Sequence, residues 1–170
     1  MIKGCLLNVM LVGITINNQL SSFLVKLNFT MSEKKLINTT DAAKPVGAYP
    51  HARRAGNLLF LSGIGPRSAK DNSIPGLELD ARGNFVSFDF EAQVHSVFKN
   101  VEGVLRASGA DWNNLVDVTV FLVNMKRDFN TFNKIYAEYF KDIQACRTTV
   151  EINSLPTQIA IELKCIAYVE

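Results

Sequence analysis

The stretch "DFEAQVHSVFKNVEGVLRASG" (Asp89 to Gly109) sets the layout of the chain. Within it Val94, Val97, Phe98, Val101, Val104 and Leu105 recur at three- and four-residue spacing, the mark of a helix with one apolar face. Asp89 has the side chain for an N-cap, and Gly109 stands where a helix ending at Ser108 would stop. After it comes "LVDVTVFLV" (Leu115 to Val123), rich in β-branched residues and the clearest strand of the chain. A second helix is predicted from about Asp128, with Phe129, Phe132, Ile135, Tyr136, Tyr139 and Phe140 on its apolar side. Arg147–Ile152 and Ile159–Val169 read as two further strands, joined by a turn that contains Pro156.

Toward the N-terminus, "LLFLSGIGP" (Leu58 to Pro66) is an apolar strand ended by Gly63, Gly65 and Pro66. "KPVGAYPHARRAGN" (Lys44 to Asn57) reads as extended loop and turn leading into it. The polar segment from Arg67 to Gly83, with turn residues at Pro75-Gly76 and Arg82-Gly83, reads as a long loop. The order is strand, long loop, helix, strand, helix, strand, strand. It predicts an α+β domain: one mixed sheet with two helices covering one face. In the last strand the odd residues from Ile159 to Val169 point one way and Ala160, Glu162, Lys164, Ile166 and Tyr168 the other. Neither set is free of apolar residues, so the face without helices calls for burial against other subunits.

Composition narrows the function classes. The 170 residues are 48% hydrophobic and 20% charged, which fits a single globular domain. The net charge is +2 and the cations are scattered, as in Lys34-Lys35 and Arg53-Arg54, so a dedicated nucleic-acid binder is disfavoured. Three cysteines (Cys5, Cys146, Cys165) lack CxxC spacing, and His51 and His95 have no ligand-spaced partner. No metal site is expected, and a reducing, cytoplasmic setting is the simpler one. "CLLNVMLVGITI" follows Lys3 but is too short, and too interrupted by Asn8, to span a bilayer. It lacks a small-x-small cleavage site and the arginines of a mitochondrial presequence. A second start-like "MSEKK" begins at Met31. Residues 1–34 therefore read as an extension outside the fold and 35–170 as the domain; a targeting role for residues 1–30 stays open.

"QACRTTVEI" (Gln144 to Ile152) poses a choice between Cys146 and Arg147. Gln-Ala-Cys-Arg with an upstream His95 imitates a cysteine-protease signature, but Thr148 stands where that signature needs glycine. His95 also lies inside the predicted amphipathic helix. Cys146 thus reads as a semi-buried thiol at a strand start. Alternation puts Arg147, Thr149 and Glu151 on one face of their strand. Arg147 reads either as a sheet-edge cation paired with Glu151 or another acid, or as a planar fork for a carboxylate ligand. Glu162, in mid-strand within "IAIELKCIA", is costly to bury unpaired. On neighbouring strands the two could form a structural ion pair, or bind a carboxylate and a water.

From Ala42 to Glu170 the chain resembles the RidA (YjgF/YER057c/UK114) family of small deaminases. The resemblance rests on "PVGAYPHA", "LLFLSGIGP", "VDVTVFLVNMKRDFNTFNKIY", "CRTTVEI" and "IAIELKCIA", in that order. Through "YPHARRAGN", "VNMKRDF" and "RTTVE" it is most similar to the 2-aminomuconate deaminase branch. The resemblance implies a chorismate-mutase-like fold and a homotrimer with active sites at its interfaces. It implies hydrolysis of a 2-enamine or 2-imino acid, a small-molecule carboxylate, to a 2-oxo acid and ammonia, with no metal or organic cofactor. No nucleic-acid or membrane partner is implied. By position Arg147 would bind the substrate carboxylate and Glu162 would hold the attacking water. Tyr49 would close the pocket, Asn133 would add a polar group, and Ser62 and Gly63 would line it. Thr149 stands where many relatives have cysteine, and Cys146 where a small residue is usual. A dicarboxylate such as 2-aminomuconate needs a second donor, for which His51, Arg53, Arg54 and Arg67 are candidates. The rival readings are a general 2-iminopropanoate deaminase and a non-enzymatic member of translation-inhibitor or chaperone-like type.

Overall fold

The computed structural model describes residues 35–170. The reading of residues 1–34 as an extension lies outside them. The strands are β1 (Lys35–Ile37), β2 (Ala52–Ala55), β3 (Leu58–Leu61), β4 (Leu77–Leu79), β5 (Phe85–Phe88), β6 (Leu115–Leu122), β7 (Cys146–Glu151) and β8 (Ile161–Tyr168). The helices are α1 (Phe90–Ala107) and α2 (Met125–Phe140), and a 3₁₀ turn spans Trp112–Asn114. A six-stranded sheet runs β1-β2-β3-β8-β6-β7, with β4 and β5 as a separate hairpin. β6 and β7 are parallel and the other pairs in the sheet antiparallel, so the fold is α+β with a mixed sheet, as the periodicity predicted.

Capping chemistry fixes both helices. The Asp89 carboxylate accepts from the Ala92 N–H at 3.0 Å, and Gly109 adopts φ 76 just past the end of α1. α2 starts three residues earlier than its apolar periodicity indicates, because Asn124 caps it through the Arg127 N–H at 2.9 Å. Glu151 adds a second cap, its carboxylate accepting from the Met125 N–H at 2.6 Å. α1 packs on β8 and α2 on β6, and the helices touch each other, so both cover one face. Val94, Val97, Phe98 and Val101 of α1 are fully buried there against Ile161, Leu163, Cys165 and Ala167 of β8. At about 1.5–3 kcal/mol for each large apolar side chain, this layer is the main source of stability.

Four short strands, β1, β2, β4 and β5, are not expected from the sequence. β2 lies within Lys44–Asn57, which reads as a loop because "ARRA" carries no apolar alternation to betray a strand, and it pairs with β1, to which the sequence reading assigns no element. The segment from Arg67 onward closes into the β4–β5 hairpin. Its turn is built by the Asp80 carboxylate, which accepts from the Arg82 and Asn84 N–H groups, both at 2.8 Å, with Gly83 at φ 80. The face opposite the helices leaves Leu58, Phe60 and Tyr168 exposed.

Candidate active site

Arg147 enters β7 on the helix side of the sheet, since its register partner Val118 is fully buried under the helices. Its guanidinium donates to Asn133 Oδ1 at 2.8 Å and lies 4.7 Å from the Tyr136 ring centroid. Phe129 and Phe132 add aromatic faces at 5.9 and 5.8 Å. Asn133 and Tyr136 are three apart on α2 and so share one helix face, which holds the arginine by an amide and a π surface together. Thr149 stands on the same face of β7, and its Oγ1 is buried without a partner. Tyr136 Oη is likewise buried and unpartnered, and burial pushes its pKa up to about 12. Glu151 is spent on the start of α2, so the reading of Arg147 as its ion-pair partner fails. The ion pairs among the described residues are Arg106–Asp41 and Arg127–Asp128.

Glu162 belongs to the other face. It pairs with Phe121 on β6, between the buried Val120 and Leu122, and so points away from the helices. Between the pairs Phe60↔Ile166 and Ile64↔Leu163, the residues Leu61, Ser62 and Gly63 oppose only Lys164 and Cys165. This bulge presses the Gly63 backbone onto the carboxyl group. A Cβ at residue 63 would collide with Glu162 Oε1 and come within 2.7 Å of Cδ, so the site requires glycine. Ser62 is fixed by Oγ donating to Pro50 O at 2.7 Å and by its N–H donating to His51 O at 2.9 Å. Asn100 of α1 anchors the following turn by donating to Gly65 O and Arg67 O, both at 2.8 Å. Glu162 has no hydrogen-bond or ion-pair partner among the described residues, and burial raises its pKa above the ordinary carboxylate value. Tyr49, 44% exposed, borders the same groove as Arg53, Phe60, Ser62, Gly63 and Lys164.

The structure therefore gathers the expected residues into two groups. Arg147, Asn133 and Thr149 sit on the helix side, and Glu162, Ser62, Gly63, Tyr49 and Arg53 border the opposite face. An Arg147–Glu162 ion pair within the chain, considered from the sequence, is excluded: β6 lies between β7 and β8, and the two side chains leave the sheet in opposite directions.

The cysteine-protease resemblance, set aside from the sequence, has no support in the positions of its residues, and Cys146 is exposed rather than semi-buried. His95 binds Tyr139 Oη at 3.2 Å on the outer surface of α1, while Cys146 pairs with Asp117 on the face away from the helices. His51 is buried, with Nδ1 accepting from the Thr39 N–H at 3.3 Å and Nε2 donating to Ala43 O at 3.0 Å. Two residues of the groups were not singled out from the sequence. Tyr136 could have been found by its spacing from Asn133, and Lys164 by its spacing from Glu162. Among the described residues no group of three or more His, Cys, Asp or Glu could hold a metal, and no helix is long and apolar enough to cross a membrane.

A sheet backed by two helices, with a forked arginine on one side and a desolvated carboxyl on the other, matches a known family. The family model described as Endoribonuclease L-PSP matches residues 39–169, and the chain belongs to that family, which includes the RidA, YjgF and RutC proteins. A RutC family protein of Pyrococcus horikoshii is 37% identical over 137 residues, covering 81% of this chain and 99% of that protein. The chloroplastic Reactive Intermediate Deaminase A of Arabidopsis thaliana is 38% identical over 135 residues, covering 79% of this chain and 66% of its own length. The 2-iminobutanoate/2-iminopropanoate deaminase of Dermatophagoides farinae is 33% identical over 141 residues, covering 82% of this chain and all of that protein. The crystal structure of the YjgF gene product of E. coli superposes with a TM-score of 0.68 at 29% identity, covering 80% of this chain and 99% of that one.

Proposed function

We propose that the protein hydrolyses 2-enamine or 2-imino acids to 2-oxo acids and ammonia, at sites completed between copies of the chain. One observation carries the reading: Arg147 and Glu162 are each prepared for a ligand, yet face opposite sides of one sheet. A trimer in which the helix side of one copy meets the open face of the next joins the two groups. The exposed Leu58, Phe60 and Tyr168 supply apolar area for such contacts.

The chemistry needs little more. The enamine tautomerises to an imine whose carbon is already electrophilic. Water adds at that carbon, giving up a proton, and the C–N bond of the carbinolamine breaks as nitrogen leaves as ammonia. Arg147 fixes the carboxylate by charge-assisted hydrogen bonds of about 1.5–3 kcal/mol. Glu162 takes the proton of the attacking water and returns one to the leaving nitrogen, a contribution of roughly 10²–10⁴-fold. Its raised pKa suits both steps, because the proton it takes is also easily held until needed. Tyr49 closes the mouth, and Asn133 holds Arg147 in place.

The finer reading is 2-aminomuconate deaminase, forming 2-oxohex-3-enedioate, with Arg53 at the second carboxylate. The alternative is a general 2-iminopropanoate deaminase, the activity closer to the names of the plant and mite relatives. Ammonia release from freshly generated 2-aminomuconate beside 2-aminoacrylate tests both. Turnover of the dicarboxylate is expected to exceed that of the monocarboxylate; the reverse order selects the alternative, and no release from either refutes deamination.

A further inference from the structure

The cations that could serve a second carboxylate have different fates. His51 has both ring nitrogens engaged. Arg54 donates to Gly56 O at 3.0 Å and to Val169 O at 2.9 Å, tying down the C-terminal end. Arg67 donates to Asn72 Oδ1 at 2.9 Å and Lys44 O at 2.8 Å, bracing its own loop. Arg53 and Lys164 are different: both are exposed and border one groove with Tyr49, Phe60 and Gly63. Neither has a hydrogen-bond or ion-pair partner among the described residues. The carboxylates on this face of the central strands are Glu162, two residues before Lys164, and Asp117, which pairs with Ile166; neither forms an ion pair with Lys164. Two uncompensated cations beside an acid held toward its neutral form make a local field that favours an anion.

We propose that Lys164, with Arg53, forms a second anion subsite that holds the far carboxylate of a dicarboxylic enamine, so that Lys164 sets the preference for dicarboxylates. The proposal rests on the deaminase reading above. With the first carboxylate on Arg147 and the reacting carbon at Glu162, the rest of the substrate runs on past Glu162. On β8 the next residue of the same face is Lys164. The exposed ring of Phe60, on the same groove, offers an apolar wall to an unsaturated chain.

The test compares wild type, Lys164→Met, Lys164→Arg and Arg53→Gln in two assays. The first is the ratio of kcat/KM for 2-aminomuconate to that for 2-aminoacrylate. The second is calorimetric binding of trans,trans-muconate, an unreactive dicarboxylate, against sorbate, its monocarboxylate counterpart of the same double-bond geometry. Lys164→Met is expected to lower the turnover ratio and the muconate-to-sorbate binding ratio each by about tenfold, and Lys164→Arg to restore most of both. Ratios that stay within about twofold of wild type, or substrates that fall together, overturn the subsite. If wild type releases ammonia from neither enamine, deamination fails and binding alone decides. Muconate lost selectively in Lys164→Met then sustains the subsite, and wild type that does not bind muconate removes it.

Discussion

Arg147 and Glu162 meet their surroundings in contrasting ways. The arginine is finished within its own chain: Asn133 accepts one of its donors and the Tyr136 ring supports its plane. The glutamate is unfinished, a partly buried carboxyl pressed against the Gly63 backbone with no partner of its own among the described residues. In the proposed reaction the cation is held in one geometry so that a carboxylate docks on its remaining donors, and the acid is left without partners so that water binds it. In the proposed assembly the difference also marks the Glu162 face as the one that a second copy covers. A finished group can stand at a surface, whereas a desolvated one on a half-apolar face needs cover.

Glu162→Gln is the most damaging change expected, because it keeps size and polarity but cannot take a proton. Steady-state kinetics should show kcat lower by roughly 10²–10⁴-fold with KM little altered. The acid limb of the wild-type kcat/KM profile should lie above the ordinary carboxylate range, and any residual activity of the variant should lack it. A carboxyl with a raised folded-state pKa favours folding most at low pH, and that contribution is lost as pH rises through the folded value. Glu162→Gln should therefore be at least as stable as wild type at pH 8 by thermal melting. A variant that melts early would mean its inactivity reports unfolding.

Gly63→Ala tests the same half without touching the acid. The added Cβ must displace the Glu162 carboxyl, a shift that can cost up to about 10²-fold in kcat. Unchanged kinetics would show that the close approach has no catalytic role. Arg147→Lys then breaks the other half: the charge remains but the planar fork is lost. KM should rise and kcat/KM fall by about 1.5–3 kcal/mol. A fall in kcat alone would mean that Arg147 acts on the transition state rather than on the bound carboxylate.

Much of this contrast was legible in the sequence, and the limits are physical. The 3.6-residue period announced both helices because each buries a continuous stripe, from Val94 to Leu105 and from Phe132 to Phe140. Alternation in β8 separated Leu163 and Cys165 from Glu162 and Lys164 correctly. Strand order was not legible. β7 and β8 are consecutive in the chain but separated by β6, since the parallel β6–β7 pair is made through α2. Reading Arg147 and Glu162 as neighbours followed from that gap. β1, β2, β4 and β5 escaped because strands of three or four residues carry too little alternation to exceed the turn signals around them. The fates of His51, Arg53, Arg54 and Arg67 depend on distant backbone oxygens, such as Val169 O for Arg54, which no local pattern records.

The smallest effect is expected at Cys146. Its thiol is exposed at the start of β7, apart from both groups, and the proposed steps include no covalent intermediate. Cys146→Ser should keep kcat within a few-fold of wild type, and a loss beyond about a hundredfold, near 2.7 kcal/mol, would revive the nucleophile.

Complementation measures most directly whether the two halves belong to different copies. Arg147→Ala and Glu162→Gln chains, each nearly inactive alone, are co-expressed with different tags and the mixed assemblies purified. If a site takes its arginine from one copy and its glutamate from the next, some interfaces regain both wild-type residues. Each mixed trimer has one of its three interfaces restored, so the purified assemblies should recover about a third of wild-type activity. Activity no greater than that of the two parents would show that each site is built within one chain, contradicting the opposed geometry of Arg147 and Glu162 as the basis of function.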